Sequence, residues 1–191
     1  MSTTGRHDET PEGAAVELLV AALGPRARGC FTTRGAGAPP VSARAPYAGL
    51  NLALHVGDDA ARVGRARRRL EEALGLGPGR RGGAGPQAPG LAWMNQVHSA
   101  VVARARLQMR PDDAPAADAL VLSSRARPAA LRPAGVAVMV ADCVPLLLAA
   151  DDGTIVAAVH AGRRGMLDGV VTAAQAGSRA AASWRMRSGT S

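Results

Sequence analysis

Apolar and polar positions fall into blocks along this chain, and the blocks sort into short strands, two helices and long polar connections. Val16 to Leu23 is a short apolar run, and Gly29 to Thr33 reads as the first core strand. Val63, Leu70 and Leu74 share one face of a helical repeat with arginine on the other, predicting a helix from Ala60 to Leu74 capped by Asp58 or Asp59. Leu91 to Val102 is strand-like, and Asp118 to Leu122 is a short strand. The strongest patterning comes later. Gly135 to Val140 is apolar, Asp142-Cys143 interrupts it, and Val144 to Ala150 resumes. Asp151-Asp152-Gly153 suits a hairpin turn, after which Thr154 to Val159 returns as a strand ending at His160. Gly162 then permits a turn, and Met166, Val170 and Val171 suit one face of a second helix. Strands that turn back on their neighbours, with helices between, predict an α/β domain with a mixed, largely antiparallel sheet.

Residues 1–13 read as a disordered tail, Gly35 to Pro46 as a Gly/Pro/Ala loop, and Gly75 to Gly90 as a mobile Gly/Pro/Arg linker. The 191 residues suffice for one domain with a real core, and 47% hydrophobic content agrees. Aromatics are only 2%, so Val, Leu and Ala must fill that core. A net charge of +8 raises the question of nucleic acid. All the basic charge is Arg, though, and it is spread along the chain. The densest run, Arg65-Ala66-Arg67-Arg68-Arg69, is not interleaved with stacking aromatics and reads as a solvated helix face. No nucleic-acid partner is expected. No membrane partner is expected either, because no apolar stretch reaches spanning length. Two cysteines do not make a disulfide framework, and a cytoplasmic, reducing compartment is expected, where Cys143 can stay a free thiolate ligand.

His98, Cys143 and His160 each close or interrupt an apolar run, so each could point from a strand end into one shared cavity. Two imidazoles and a thiolate are a ligand set that zinc accepts, leaving a fourth position for water or substrate. Each residue taken alone also fits a bland role: His98 as a half-buried histidine, Cys143 as core filler. Asp142 could support a ligand histidine from a turn. Gly162-Arg163-Arg164-Gly165 could bind an anion, or be a plain strand–helix turn. Arg34 and Asn51 could contact a substrate or simply hydrogen-bond their loop. The same residues admit other chemistry. Cys143 with His160 as base would make a cysteine hydrolase. Two His and one Cys, with Met139 or Met166 as axial ligand, would make a blue-copper site. A multicopper oxidase is argued against by counting, since the four histidines are His7, His55, His98 and His160.

Six segments occur in an order that resembles a known family. They are Phe31-Thr32-Thr33-Arg34, Leu50 to Asp59, Asn95-Gln96-Val97-His98, Asp118-Ala119-Leu120-Val121, Ala141-Asp142-Cys143-Val144-Pro145-Leu146, and Val159-His160-Ala161-Gly162-Arg163-Arg164-Gly165. The chain resembles the laccase-domain, YfiH-type family, often labelled polyphenol oxidase. The resemblance implies a single-domain, three-layer α/β/α fold over residues 14–175 and a Zn2+ ion held by His98, Cys143 and His160. It implies phosphorolysis of adenosine, inosine, guanosine and methylthioadenosine, with purine nucleoside and phosphate as partners, and deamination of adenosine. Zinc lowers the pKa of water toward about 7, which suits attack on the purine C6. Arg34 and Arg163 become phosphate candidates, Asn51 a substrate-orienting residue, and Asp142 a candidate acid/base. The pattern departs from the family in three places. The loop after Arg34 lacks the usual paired glycines, Arg163 stands where many members have Trp, and the likeness fades after Val171. Residues 176–191 read as a non-matching tail, resembling a truncation or out-of-frame translation, so the domain is expected to lack its final strands, and an inactive truncated family member is the alternative to an active enzyme.

Overall fold

A computed structural model describes residues 16–35, 38, 40, 42, 46–76, 90–107, 111–124 and 133–182. The expected tail at 1–13 lies outside the described residues, as do most of the linker and the last residues of the chain. The chain divides into two compact units, one of Met1–Ala21 with Cys30–Gly75 and one of Ala22–Gly29 with Leu76–Ser191.

The first unit holds β1 (Leu18–Ala21) and most of β2 (Gly29–Thr32), which pair as a two-stranded sheet, and the helix α1 (Ala60–Ala73). Of the two expected caps, Asp59 takes the role, and its side chain accepts from the Arg62 amide at 2.6 Å. Val63, Ala66 and Leu70 form the buried stripe of α1, and Leu74 is its C-cap rather than its last turn.

The second unit is built on a four-stranded sheet in the order β4 (Val102–Arg104), β5 (Ala119–Ser123), β8 (Ile155–Ala161), β7 (Val144–Ala149). Only the β4–β5 pair is parallel; β5–β8 and β7–β8 are antiparallel, giving the mixed, mainly antiparallel α/β architecture that the patterning predicts. The β7–β8 hairpin turns where expected: the Gly153 amide bonds to the Ala150 carbonyl, and Gly153 adopts φ +67°, a conformation glycine takes without strain. β8 runs one residue beyond His160, so the histidine lies within the strand.

Pleating sends alternate residues of β5 and β8 to opposite faces. Ala119, Val159 and Ala161 face one way and pack with Val170 and Ala174 of the long helix α3 (Val170–Ala182). Leu120 faces the other way, against Ala92 and Met94, near a short parallel pair formed by β3 (Leu91–Ala92) and β6 (Gly135–Val136). Burial on both faces explains why β8 is an almost unbroken apolar run. A short helix α2 (Arg163–Leu167) links β8 to α3. Its Met166 is 55% exposed, so the helix-face reading holds for Val170 and fails for Met166: α2 ends and the chain turns at Gly169 (φ +84°) before α3 begins. α3 runs without a break through residues 175 and 176.

The strand expected over Leu91–Val102 is a second correction. Only its two ends are strands, and His98 sits in the turn between them at φ +58°. The amides of this turn donate to a side chain rather than to a ladder, as described below. Among the described residues, no helix is long and apolar enough to cross a membrane.

Candidate metal centre

The register of the sheet brings the chemistry together. Ala119 pairs with Val159 in the antiparallel β5–β8 ladder, so Asp118 stands across from His160, with side chains on the same face. The His160 amide donates to the Asp118 carbonyl at 2.7 Å, and the His160 Nδ1 lies 2.8 Å from Asp118 Oδ1. On the other side of β8, Val144 pairs with Ala161 and Pro145 with His160. Cys143, one position before β7, is therefore opposite Gly162 and two residues from the partner of His160, which places Cys143 and His160 on one face.

His98 arrives from a different element. The turn Val97-His98-Ser99 wraps around the Asp118 carboxylate, which is fully buried. The His98 amide donates to Oδ1 at 2.9 Å; the Ser99 amide and hydroxyl donate to Oδ2 at 2.6 and 2.7 Å; the Val97 amide reaches Oδ2 at 3.4 Å. Burial raises the proton affinity of this carboxyl. The bonds from His160, Ser99 and His98 outweigh that effect and hold it below the ordinary carboxylate value.

The result is a group of three donors, His98, Cys143 and His160, whose ligand atoms lie within 4.8 Å of one another. Cys143 Sγ is 3.9 Å from His98 Nε2, and the two imidazoles meet edge to face with centroids 4.7 Å apart. Tetrahedral zinc would set a nitrogen–sulfur separation of about 3.5 Å, close to the 3.9 Å between Cys143 Sγ and His98 Nε2. The cradle has a floor of glycine. A Cβ at Gly162 would stand 3.0 Å from His98 Cδ2, 3.1 Å from Cys143 Sγ and 3.5 Å from His160 Cε1. With Nδ1 of His160 held by a carboxylate, its Nε2 is the free ligand atom, the arrangement found at histidine–metal sites. The donor set, its spacing and its glycine floor all fit a transition-metal ion.

Cys143 is half-exposed, and its thiol is pushed above its ordinary value by desolvation, then by the charges of Asp142 and Asp118. Activated nucleophilic cysteines show the opposite shift, so the thiol lacks the electropositive surroundings of a hydrolase nucleophile. Asp142 is exposed, and its Oδ1 lies 3.6 Å from Cys143 Sγ rather than on a histidine. The carboxylate that supports a histidine is Asp118. Arg163 is exposed at the first position of α2, directly after Gly162.

Arg34 and Asn51 belong to the first unit. The Arg34 guanidinium donates to the Ala48 carbonyl at 3.3 Å. The Asn51 side chain donates to Asp58 Oδ2 at 2.8 Å and accepts from the Ala53 amide at 3.0 Å, the loop hydrogen bonding weighed as its alternative role.

Sequence reasoning singled out the three donors but passed over three of their supports. Asp118 was visible as a charged residue opening an apolar strand, which is a signal in itself, because a buried carboxylate must be paired. Gly162 suits a turn by its sequence, yet its φ is −71° and what it supplies is space. Gln96, whose amide donates to the Met139 carbonyl at 2.7 Å and accepts from the Met139 amide at 2.9 Å, gave no sequence signal beyond its place beside His98.

The sequence model of a family described as multi-copper polyphenol oxidoreductase laccase matches residues 28–187. A Streptomyces griseus protein named purine nucleoside phosphorylase ORF3 is 43% identical over 145 residues, which is 75% of this chain and 50% of that protein. A Corynebacterium glutamicum protein named purine nucleoside phosphorylase Cgl2154/cg2365 is 39% identical over 144 residues, again 75% and 50%. The chain spans about half the length of the curated relatives it matches. Among solved structures, Neisseria meningitidis protein NMB0706, described as a DUF152 protein, superposes with a TM-score of 0.63 at 29% identity, covering 86% of this chain and 57% of that one. YlmD from Geobacillus stearothermophilus gives 0.54 at 27% identity, covering 74% and 47%.

Proposed function

The chain belongs to the family described as multi-copper polyphenol oxidoreductase laccase, and from that premise we propose that it is a zinc-dependent purine nucleoside phosphorylase with adenosine deaminase activity. The observation that carries the proposal is the His98–Cys143–His160 group with His160 oriented by Asp118. The names of relatives 36–43% identical to this chain supply the reaction class.

His98 and His160 would hold the metal through imidazole nitrogens and Cys143 through its thiolate. When bound, zinc would supply Lewis-acid polarisation and lower the pKa of water toward about 7. The chain's own residues account for the rest. Arg163, exposed beside Gly162, offers a guanidinium to the phosphate that attacks the ribose C1′ as the bond to the purine nitrogen breaks. Asp142 is the candidate proton acceptor, being an exposed carboxylate next to the ligand cysteine. Arg34 as a phosphate contact and Asn51 as a substrate-orienting residue rest on the family resemblance alone. A reducing compartment such as the cytoplasm suits the free thiol of Cys143.

The second reading, copper redox chemistry, is favoured by the family's description and by a donor set that also suits blue copper. One experiment separates the two: metal analysis of the purified chain, its visible spectrum, and an assay with adenosine and phosphate. The proposal expects colourless protein with stoichiometric zinc, and adenine and ribose 1-phosphate as products, with inosine from deamination. Intense visible absorption with bound copper moves the assignment to the redox reading. Absence of any bound metal refutes both.

A further inference from the structure

We propose that Asp118 is the positioning residue of the centre, a single carboxylate that aims the Nε2 atoms of both His98 and His160 at one point. The inference deepens the metal-site reading and rests on it for its affinity measurement only.

Two facts need a common explanation. His98 has a left-handed backbone (φ +58°), the one such non-glycine conformation among the described residues. A residue with a Cβ rarely adopts that conformation unless its surroundings enforce it. His160, 97% buried, has one ring nitrogen facing a carboxylate. Both trace to the same side chain. Asp118 Oδ1 accepts from the His98 amide at 2.9 Å and from the His160 Nδ1 at 2.8 Å; Oδ2 accepts from the Ser99 amide at 2.6 Å and the Ser99 hydroxyl at 2.7 Å. Capturing successive amides on one carboxylate folds the backbone over Asp118 and turns the His98 ring toward the site. Accepting from Nδ1 places the His160 proton there and leaves Nε2 with its lone pair. The backbone of Asp118 is itself fixed on both sides, its amide donating to the Val101 carbonyl at 2.9 Å and its carbonyl accepting from the His160 amide at 2.7 Å. The His–His half of the centre is thus preformed, and both histidines bond to the same oxygen, Oδ1.

Asp118→Asn tests this, because both carboxylate oxygens act as acceptors and an amide offers only one. Three donors converge on Oδ2, so the amide oxygen should take that side and the NH2 group should face both the His98 amide, whose bond is lost, and the His160 Nδ1. His160 can then accept at Nδ1 only by moving its proton to Nε2, the atom a metal needs. The readout is the imidazole nitrogen NMR spectrum of the metal-free chain above the histidine titration range, followed by zinc titration against a chromophoric chelator. The native chain should show the Nδ1–H form at His160. D118N should show the Nε2–H form and bind zinc roughly tenfold or more weakly. Ser99→Ala, which removes the hydroxyl's bond to Oδ2 and the bond it accepts from the Val101 amide but reverses no donor on the carboxylate, should keep the native tautomer. Retention of the Nδ1–H form in D118N overturns the proposal whatever the affinity. If D118N does not fold, the native spectrum decides, and an Nε2–H form there overturns it. A native chain in the Nδ1–H form that binds no zinc upholds the positioning and removes only the metal reading.

Discussion

Gln96 grips Met139 by both ends of one peptide-like amide, donating to its carbonyl at 2.7 Å and accepting from its N–H at 2.9 Å. The two residues come from segments far apart in sequence. One leads directly into His98, the other into Cys143, so this pair ties the histidine turn to the cysteine loop. Gln96→Ala removes both bonds from a half-buried position. It should cost about 1–3 kcal/mol in denaturant unfolding and loosen Cys143, weakening zinc binding further than the stability loss alone would. Equal zinc affinity in native chain and variant would mean that Cys143 is held by other contacts.

Gly162→Ala probes the floor of the site. The backbone there, φ −71° and ψ 162°, is open to any residue, so the fold should tolerate the substitution at a cost of about 1–2 kcal/mol. The new methyl would stand 3.0 Å from the His98 ring and 3.1 Å from the Cys143 sulfur. Metal affinity should therefore fall by an order of magnitude or more while circular dichroism stays native. Unchanged affinity would show that the donors have slack the geometry does not suggest.

Thiol chemistry gives a pH test. Burial pushes the Cys30 thiol up; desolvation and then Asp142 push Cys143 up from 9.0. An acid with a raised pKa stays neutral until the pH passes that value. In the metal-free chain, alkylation should thus be slow at neutral pH and accelerate only above about pH 9. Asp142→Asn should speed it at fixed pH by removing the negative charge. Rapid alkylation of Cys143 below neutrality would revive the hydrolase reading.

Asp118 makes acid a selective stress. Its folded pKa lies below the unfolded value of about 3.9, so it contributes stability above that pH and loses it as the pH falls through the folded value. Thermal unfolding of the metal-free chain should show a midpoint that drops more steeply below about pH 4 than that of D118N. Parallel slopes would place the acid sensitivity elsewhere.

What was legible in the sequence was what local pattern encodes. The β7–β8 hairpin follows from two apolar runs around Asp151-Asp152-Gly153, and α1 follows from a periodic stripe with Asp59 before it. The three donors were legible because each breaks an apolar run. What was not legible depends on partners distant in sequence. The turn at His98 departs from strand geometry because a carboxylate twenty residues later in the chain takes its amides. Asp118 was read as the start of a strand because its role exists only once β8 has paired beside it. Met166 continued an apolar pattern that the turn at Gly169 interrupts.

The hairpin register also sets a chronology. Cys143 and His160 are carried by the two arms of one hairpin, so closing a short loop brings them together at modest entropic cost. His98 can join only after the more distant β5 has docked on β8 and delivered Asp118. Non-local pairings of that kind form more slowly. A refolding chain would present a two-donor hairpin to passing ions before it presents the complete site, and the third ligand would close over whatever cation the first two had already caught.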